Sequence, residues 1–206
     1  MSSLDLRMEE KNYIVHPQKF ALWLFILTVI MIFGGFTSAY IVQLDSIETA
    51  SRTTYDLPPI LWRNLIVMLA SSVTMQFAIW AAKREQNMQA TLGLGMTLVL
   101  GLFFLWGQWQ AFQDLTASGL PFIDRDRVDN SVSFFYVITG VHGVHIVAAI
   151  LAVLVTLVLT VLRAFRPGRK KISYELAGIF WHFLGLLWVY LFLFLKFVPD
   201  SLKESV

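Results

Sequence analysis

Three histidines, His142, His145 and His182, lie inside long apolar runs of a 206-residue chain that has no cysteine. Two of them fall three residues apart in Thr139-Gly140-Val141-His142-Gly143-Val144-His145, so a helix would carry both on one face. The third stands in Phe180-Trp181-His182-Phe183. Neutral imidazole can ligate haem iron or a transition metal. The other reading is hydrogen bonding to neighbouring helices, which fixes packing. An ionisable side chain at membrane depth needs a partner, a cavity or a function, so these positions are the first candidates for a site.

Other polar residues fall in the same runs. Glu175 stands seven residues before His182, two turns down one helical face at the membrane edge. With Trp181 and His182 it reads either as interfacial anchoring or as a proton-uptake or subunit-contact site. Asn64, Ser71, Ser72, Thr74, Gln76 and Gln108 read as interhelical hydrogen-bonding groups. Gly140 and Gly143, and the series Gly93, Gly95 and Gly101, read as places where helices approach closely.

The elements that position these residues follow from composition. The chain is 57% hydrophobic and 15% charged, with a mean hydropathy of +0.65. That is more apolar surface than a soluble fold of this size can hide, so the expected class is an all-α integral membrane protein. The absence of cysteine excludes disulfides, iron–sulfur clusters, thiolate zinc sites and covalent c-type haem attachment. Charge-free stretches predict five spans, at about residues 20–44, 60–82, 86–113, 131–162 and 174–197, within a single membrane domain over 1–206. The first run is longer than a signal-peptide core and is expected to be retained as a span. The fourth is long enough to require strong tilt or projection from the bilayer, and its lower half, Ile146–Leu162, reads as lipid-facing.

Loop charge sets the expected orientation. Arg7, Lys11, Lys19, Lys83, Arg84, Arg163, Arg166, Arg169, Lys170 and Lys171 fall on one side; Arg52, Arg63, Arg125, Arg127, Lys196 and Lys203 fall on the other. The positive-inside rule then places the N-terminus in the cytoplasm and the C-terminus outside. The stretch holding Asp124, Arg125, Asp126, Arg127 and Asp129 reads as a solvated outer loop. No span carries an acid at its centre, and no phosphate-binding loop, HExxH or nucleophile elbow occurs. The residues alone describe a non-catalytic membrane subunit.

Taken in order, the motifs resemble subunit III of the haem–copper cytochrome c and quinol oxidases, in its short five-helix bacterial form, from about Pro17 to Phe197. The resemblance rests on Trp23-Leu24-Phe25, Phe33 and Tyr40; on Pro58-Pro59, Asn64, Ala70-Ser71-Ser72-Val73-Thr74 and Ala78; and on Gly101, Phe104 and Gln108. It is densest at Phe134-Phe135 with Thr139 to His145, and at Glu175, Trp181-His182-Phe183 and Trp188. Three acids usual in the family are replaced, by Val29, Ala111 and Gly185.

The resemblance implies an accessory subunit with no redox centre of its own, haem and copper being carried by partner subunits I and II. It implies packing against subunit I, with subunit II, a small subunit IV and a larger respiratory assembly as further neighbours. It also implies bound phospholipid, support of proton uptake and turnover, and residence in the bacterial cytoplasmic membrane. The residues that it marks for packing, lipid or proton uptake are Asn64, Gln108, His142, His145, Glu175, Trp181 and His182. The alternative is a haem b-binding anchor with His145 and His182 as ligands, since their depths along the two helices are comparable. A small transporter would need a broken helix or buried charge, and here only Gly34-Gly35 interrupts a span.

Overall fold

Pro58-Pro59 cannot continue regular structure from the preceding segment, yet proline suits a helix start. The second helix begins directly after it, with the amides of Leu61 and Trp62 bonded to the carbonyls of Pro58 and Pro59 at 3.0 and 3.2 Å. In the computed structural model, which describes residues 17–45, 58–120, 122, 131–162 and 169–204, five helices follow one another. They are α1 (Pro17–Asp45), α2 (Ile60–Lys83), α3 (Asn87–Ala117), α4 (Ser131–Val161) and α5 (Arg169–Glu204). All five are long and apolar enough to cross a membrane. The mixed-charge stretch 124–129 lies outside the described residues.

A helix stands at each of the five expected spans, and two of the helices differ from the expected extent. Helix α3 runs past the expected end at 113 to Ala117. There the amide of Gly119 bonds to Thr116 and that of Leu120 to Leu115, both at 3.1 Å, with Gly119 at φ 77°. This is a left-handed glycine cap. Helix α5, rather than α4, is the longest, at 36 residues. Reading spans from the absence of charge stops at Glu175 and Lys196, whereas glutamate, lysine and arginine are good helix formers that carry the helix on into the headgroup layer.

A tight turn joins α2 to α3. Glu85 takes φ 61°, while the amides of Glu85 and Gln86 reach back to Ala82 and Ala81 at 3.2 and 3.0 Å. The arrangement is the same left-handed cap, with glutamate at the position glycine usually fills. Arg84 lies over the Trp80 ring at 3.7 Å, a cation–π contact that seats the turn at the membrane edge.

The helices close into a ring. Helix α5 packs on α1, α2 and α4; α3 packs on α2 and α4; α1 packs on α4 as well as α5. Small residues set the closest approaches. A Cβ on Gly93 would lie 2.8 Å from that of Ala78, and one on Gly101 would lie 2.7 Å from the Trp181 ring. Gly107 meets the Asn64 side chain, and Gly178 meets Ile79.

Three expectations fail here. Gly140, Gly143 and Gly95 have no neighbour within 4 Å of such a Cβ among the described residues, so they do not mediate close approach between these five helices. Gly34-Gly35 does not interrupt α1, which is continuous. The lower half of α4 is not simply lipid-facing: Ile146, Ala149, Ile150, Val153, Thr156 and Thr160 are buried. They recur every three or four residues as one stripe, a pattern hidden from sequence reading because the opposite, lipid-facing stripe is equally apolar.

Candidate functional site

Polar side chains link the helices mostly one pair at a time. Thr74 and Thr97 join α2 to α3 at 2.8 Å. Trp181 Nε1 donates to Ser71 Oγ at 3.1 Å between α5 and α2. Thr160 and the Tyr174 hydroxyl join α4 to α5 at 2.8 Å, and the Tyr190 hydroxyl donates to Thr37 between α5 and α1 at 3.2 Å. Thr116 and Tyr136 join α3 to α4 at 3.1 Å. With no hydrophobic driving force between helices in lipid, such bonds and close packing hold the bundle together.

Ser71 and Thr74 therefore do what their sequence suggested. The tyrosines and Thr37, Thr97, Thr116 and Thr160 were not singled out from the sequence. Their only signal was a hydroxyl within an apolar run, which most threonines satisfy on their own helix, as Thr139 does on Phe135 at 2.6 Å.

The amides behave differently. Asn64 and Gln108 are buried, yet Asn64 Nδ2 and both polar atoms of Gln108 find no hydrogen-bond partner among the described residues. The interhelical bond expected of Gln108 is not made among the described residues. Gln76 faces outward from α2.

His142 is fully buried in an aromatic nest built by four helices. Its ring stacks on Trp188 of α5 at 5.2 Å and meets Phe104 of α3 edge-on at 5.9 Å and Phe33 of α1 at 6.3 Å. Phe104 and Trp188 also meet at 5.1 Å with planes at 90°. The i, i+3 pairing holds on α4, since His145 sits beside the same Phe33 at 5.8 Å and near Phe25 at 6.2 Å. Its Nδ1 pairs with the Val141 carbonyl at 2.8 Å. Trp188, which the sequence marks only as part of a motif, is the flat wall of this nest.

His182 does not join them. Phe25 packs on Phe180 at 5.6 Å, so Phe180 marks the side of α5 that looks toward His145. Residues two apart on a helix project about 200° from one another. His182 thus lies on the far side of α5, half-buried. Among the described residues no three of His, Cys, Asp and Glu are grouped to hold a metal.

Glu175 does not pair with His182 either. It forms a salt bridge with Lys19 at 2.5 Å, tying the start of α1 to the start of α5. Val29 and Ala111, which stand where the family resemblance led one to expect acids, are buried. Gly185 brings α5 onto Ser72, to whose Oγ a Cβ would stand 3.1 Å away. A recess of about 300 Å³ opens between α1 and α5 and is lined by Ile30, Phe33, Gly34, Phe183, Leu186, Leu187 and Tyr190.

The sequence matches the family described as cytochrome c oxidase subunit III over residues 8–199. A Rickettsia bellii protein named probable cytochrome c oxidase subunit 3 is 27% identical over 195 residues, 87% of this chain and 68% of the relative. The cytochrome c oxidase subunit 3 of Corynebacterium diphtheriae is 30% identical over 65% of this chain and 62% of its own. That of Anopheles quadrimaculatus is 32% identical over 63% and 47%. The chain thus spans about half to two thirds of the length of these relatives. Its five-helix bundle, the order of its motifs and these similarities agree: the chain is a multi-pass membrane protein belonging to the cytochrome c oxidase subunit III family.

Proposed function

We propose that this chain is the accessory, non-redox subunit III of a proton-pumping haem–copper terminal oxidase that reduces oxygen to water. In this reading it packs on subunit I, with subunit II and a small subunit IV nearby, in the bacterial cytoplasmic membrane, N-terminus inside and C-terminus outside. Haem and copper reside in subunits I and II. His142, His145, Trp181, Asn64 and Gln108 order the bundle, and Glu175 fixes α1 to α5 at the cytoplasmic end. His182 serves contact with a neighbouring subunit.

The observation that carries this reading is the nest around His142. Its ring is enclosed by Trp188, Phe104 and Phe33, which suits a packing residue and leaves no open face for a ligand. The opposite facing of His145 and His182 gives the haem b reading no support, because two axial ligands must address one macrocycle from either side. The apolar recess between α1 and α5 has the chemistry of a phospholipid acyl chain, which supports lipid holding. With Val29, Ala111 and Gly185 in place of acids, support of proton uptake acts through the shape of the bundle and its partner contacts.

The test is gentle purification through a tag on this chain, with a haem spectrum and identification of the subunits that follow it. Haem a- or o-type bands arriving with a large subunit I are expected. Haem b bound to the isolated chain, or purification with no oxidase subunit, overturns the reading.

A further inference from the structure

The outer seam between α2 and α5 carries polar groups where lipid tails cannot satisfy them. Gln76 is exposed on α2, seven residues and so about 10 Å of helix inward from Lys83. No hydrogen-bond partner for its carboxamide is found among the described residues. Ser72, one turn away on the same helix, is half-buried and lies against Gly185 of α5. His182 stands one turn before Gly185, and its Nε2 is buried without a hydrogen-bond partner.

The outward surface along the middle of α3 is different in kind. Leu92, Met96, Val99, Leu102, Phe103 and Trp106 cover α3, as expected of a lipid-facing wall. The exposed hydroxyl of Thr28 on α1 is satisfied by its own helix, at 2.7 Å from the Phe25 carbonyl. A carboxamide turned toward hydrocarbon is costly, and intramembrane polar side chains characteristically face a protein neighbour.

We infer that the α2–α5 seam marked by Ser72, Gln76 and His182 is a docking face for one transmembrane helix of another oxidase subunit, which presents a hydrogen-bonding side chain at the depth of Gln76. A lipid is the wrong occupant, because an acyl chain offers neither donor nor acceptor at that depth. Gly185, with no side chain of its own, keeps the seam shallow enough for a helix to settle close to Ser72 and His182. The inference rests on the proposed role as an oxidase subunit and names the surface through which that role is exercised.

Because the chain has no cysteine, Gln76→Cys creates its only thiol. The variant is carried in the whole oxidase complex, labelled with a benzophenone maleimide and illuminated, and adducts are identified by mass spectrometry. Leu102→Cys, on the outward face of α3, is the comparison. The expected result is a covalent adduct between position 76 and another oxidase subunit, with lipid adducts alone from position 102. In parallel, Gln76→Leu is expected to lower retention of this chain in the purified complex about threefold, the effect of one intramembrane hydrogen bond. The thermal stability of the released subunit should stay unchanged.

An intact complex in which position 76 yields only lipid adducts, or adducts with a second copy of this chain, overturns the docking face and leaves the subunit assignment standing. Recovery of the chain with no oxidase subunit overturns both.

Discussion

The indole of Trp188 lies nearly flat on the imidazole of His142, with ring centroids 5.2 Å apart and planes 27° from parallel. Neither ring nitrogen of His142 has a hydrogen-bond partner among the described residues. The histidine thus contributes shape and aromatic area to the bundle centre. His142→Ala should open a cavity and cost about 3 kcal/mol, read as a fall in the thermal unfolding midpoint of the purified complex. His142→Phe should recover most of the loss. Equal damage from both variants would point to a need for the nitrogens themselves.

Glycines that look alike in sequence differ sharply in surroundings. Gly101→Ala places a methyl 2.7 Å from the Trp181 ring and 3.2 Å from Ile150, and should cost about 1–3 kcal/mol through forced repacking. Gly140→Ala meets nothing within 4 Å and should be neutral or slightly stabilising, by under about 1 kcal/mol, as alanine favours the helix. Differential scanning of the two variants side by side separates them, and a reversed order would contradict the packing described.

Glu85 holds a left-handed conformation, at φ 61°, in the turn between α2 and α3. Glu85→Gly should stabilise the turn by about 1 kcal/mol, since glycine adopts that conformation without a Cβ penalty. Glu85→Val should destabilise it by more than that. The readout is resistance of the 83–87 turn to limited proteolysis together with the unfolding midpoint.

The Lys19–Glu175 pair is about one third exposed on each side, so solvent and salt screen it. Glu175→Ala is expected to cost under about 1 kcal/mol in isolated stability, less at high salt. It should still reduce retention of the subunit in the complex, with haem content per complex unchanged. Loss of haem while the subunit stays fully bound would refute that role.

Much of this was legible from residue order. The presence and order of five long apolar helices and the shared face of His142 and His145 follow from hydropathy and helical spacing, whereas the ends of α3 and α5 do not. The facing of each helix does not. On α4 the buried stripe from Ile146 to Thr160 is mostly Ile, Val and Ala, with Thr156 and Thr160, and its lipid-facing opposite is Val, Leu and Ala, because bilayer and bundle interior favour the same apolar side chains. The role of a glycine was equally hidden, since Gly101 and Gly140 differ only in what lies opposite them. His182 was readable as polar and deep, but its separation from His145 depends on Phe180 turning toward α1.

The ring of helices also has a history in time. Helix α1 packs on α4 and α5, and its hydroxyl partner to Thr37 lies at Tyr190, 153 residues further along. As the chain emerges from the ribosome, α1 enters the bilayer ahead of α2 and α3 but packs on α4 and α5, which follow them. Helices α2 and α3, joined by a three-residue turn, can pair almost at once, whereas α1 waits beside them until α4 and α5 have followed. Helix α5 therefore closes the ring: truncation before Arg169 should leave the α2–α3 hairpin intact with α1 held by α4 alone, a clear mark for membrane quality-control proteases.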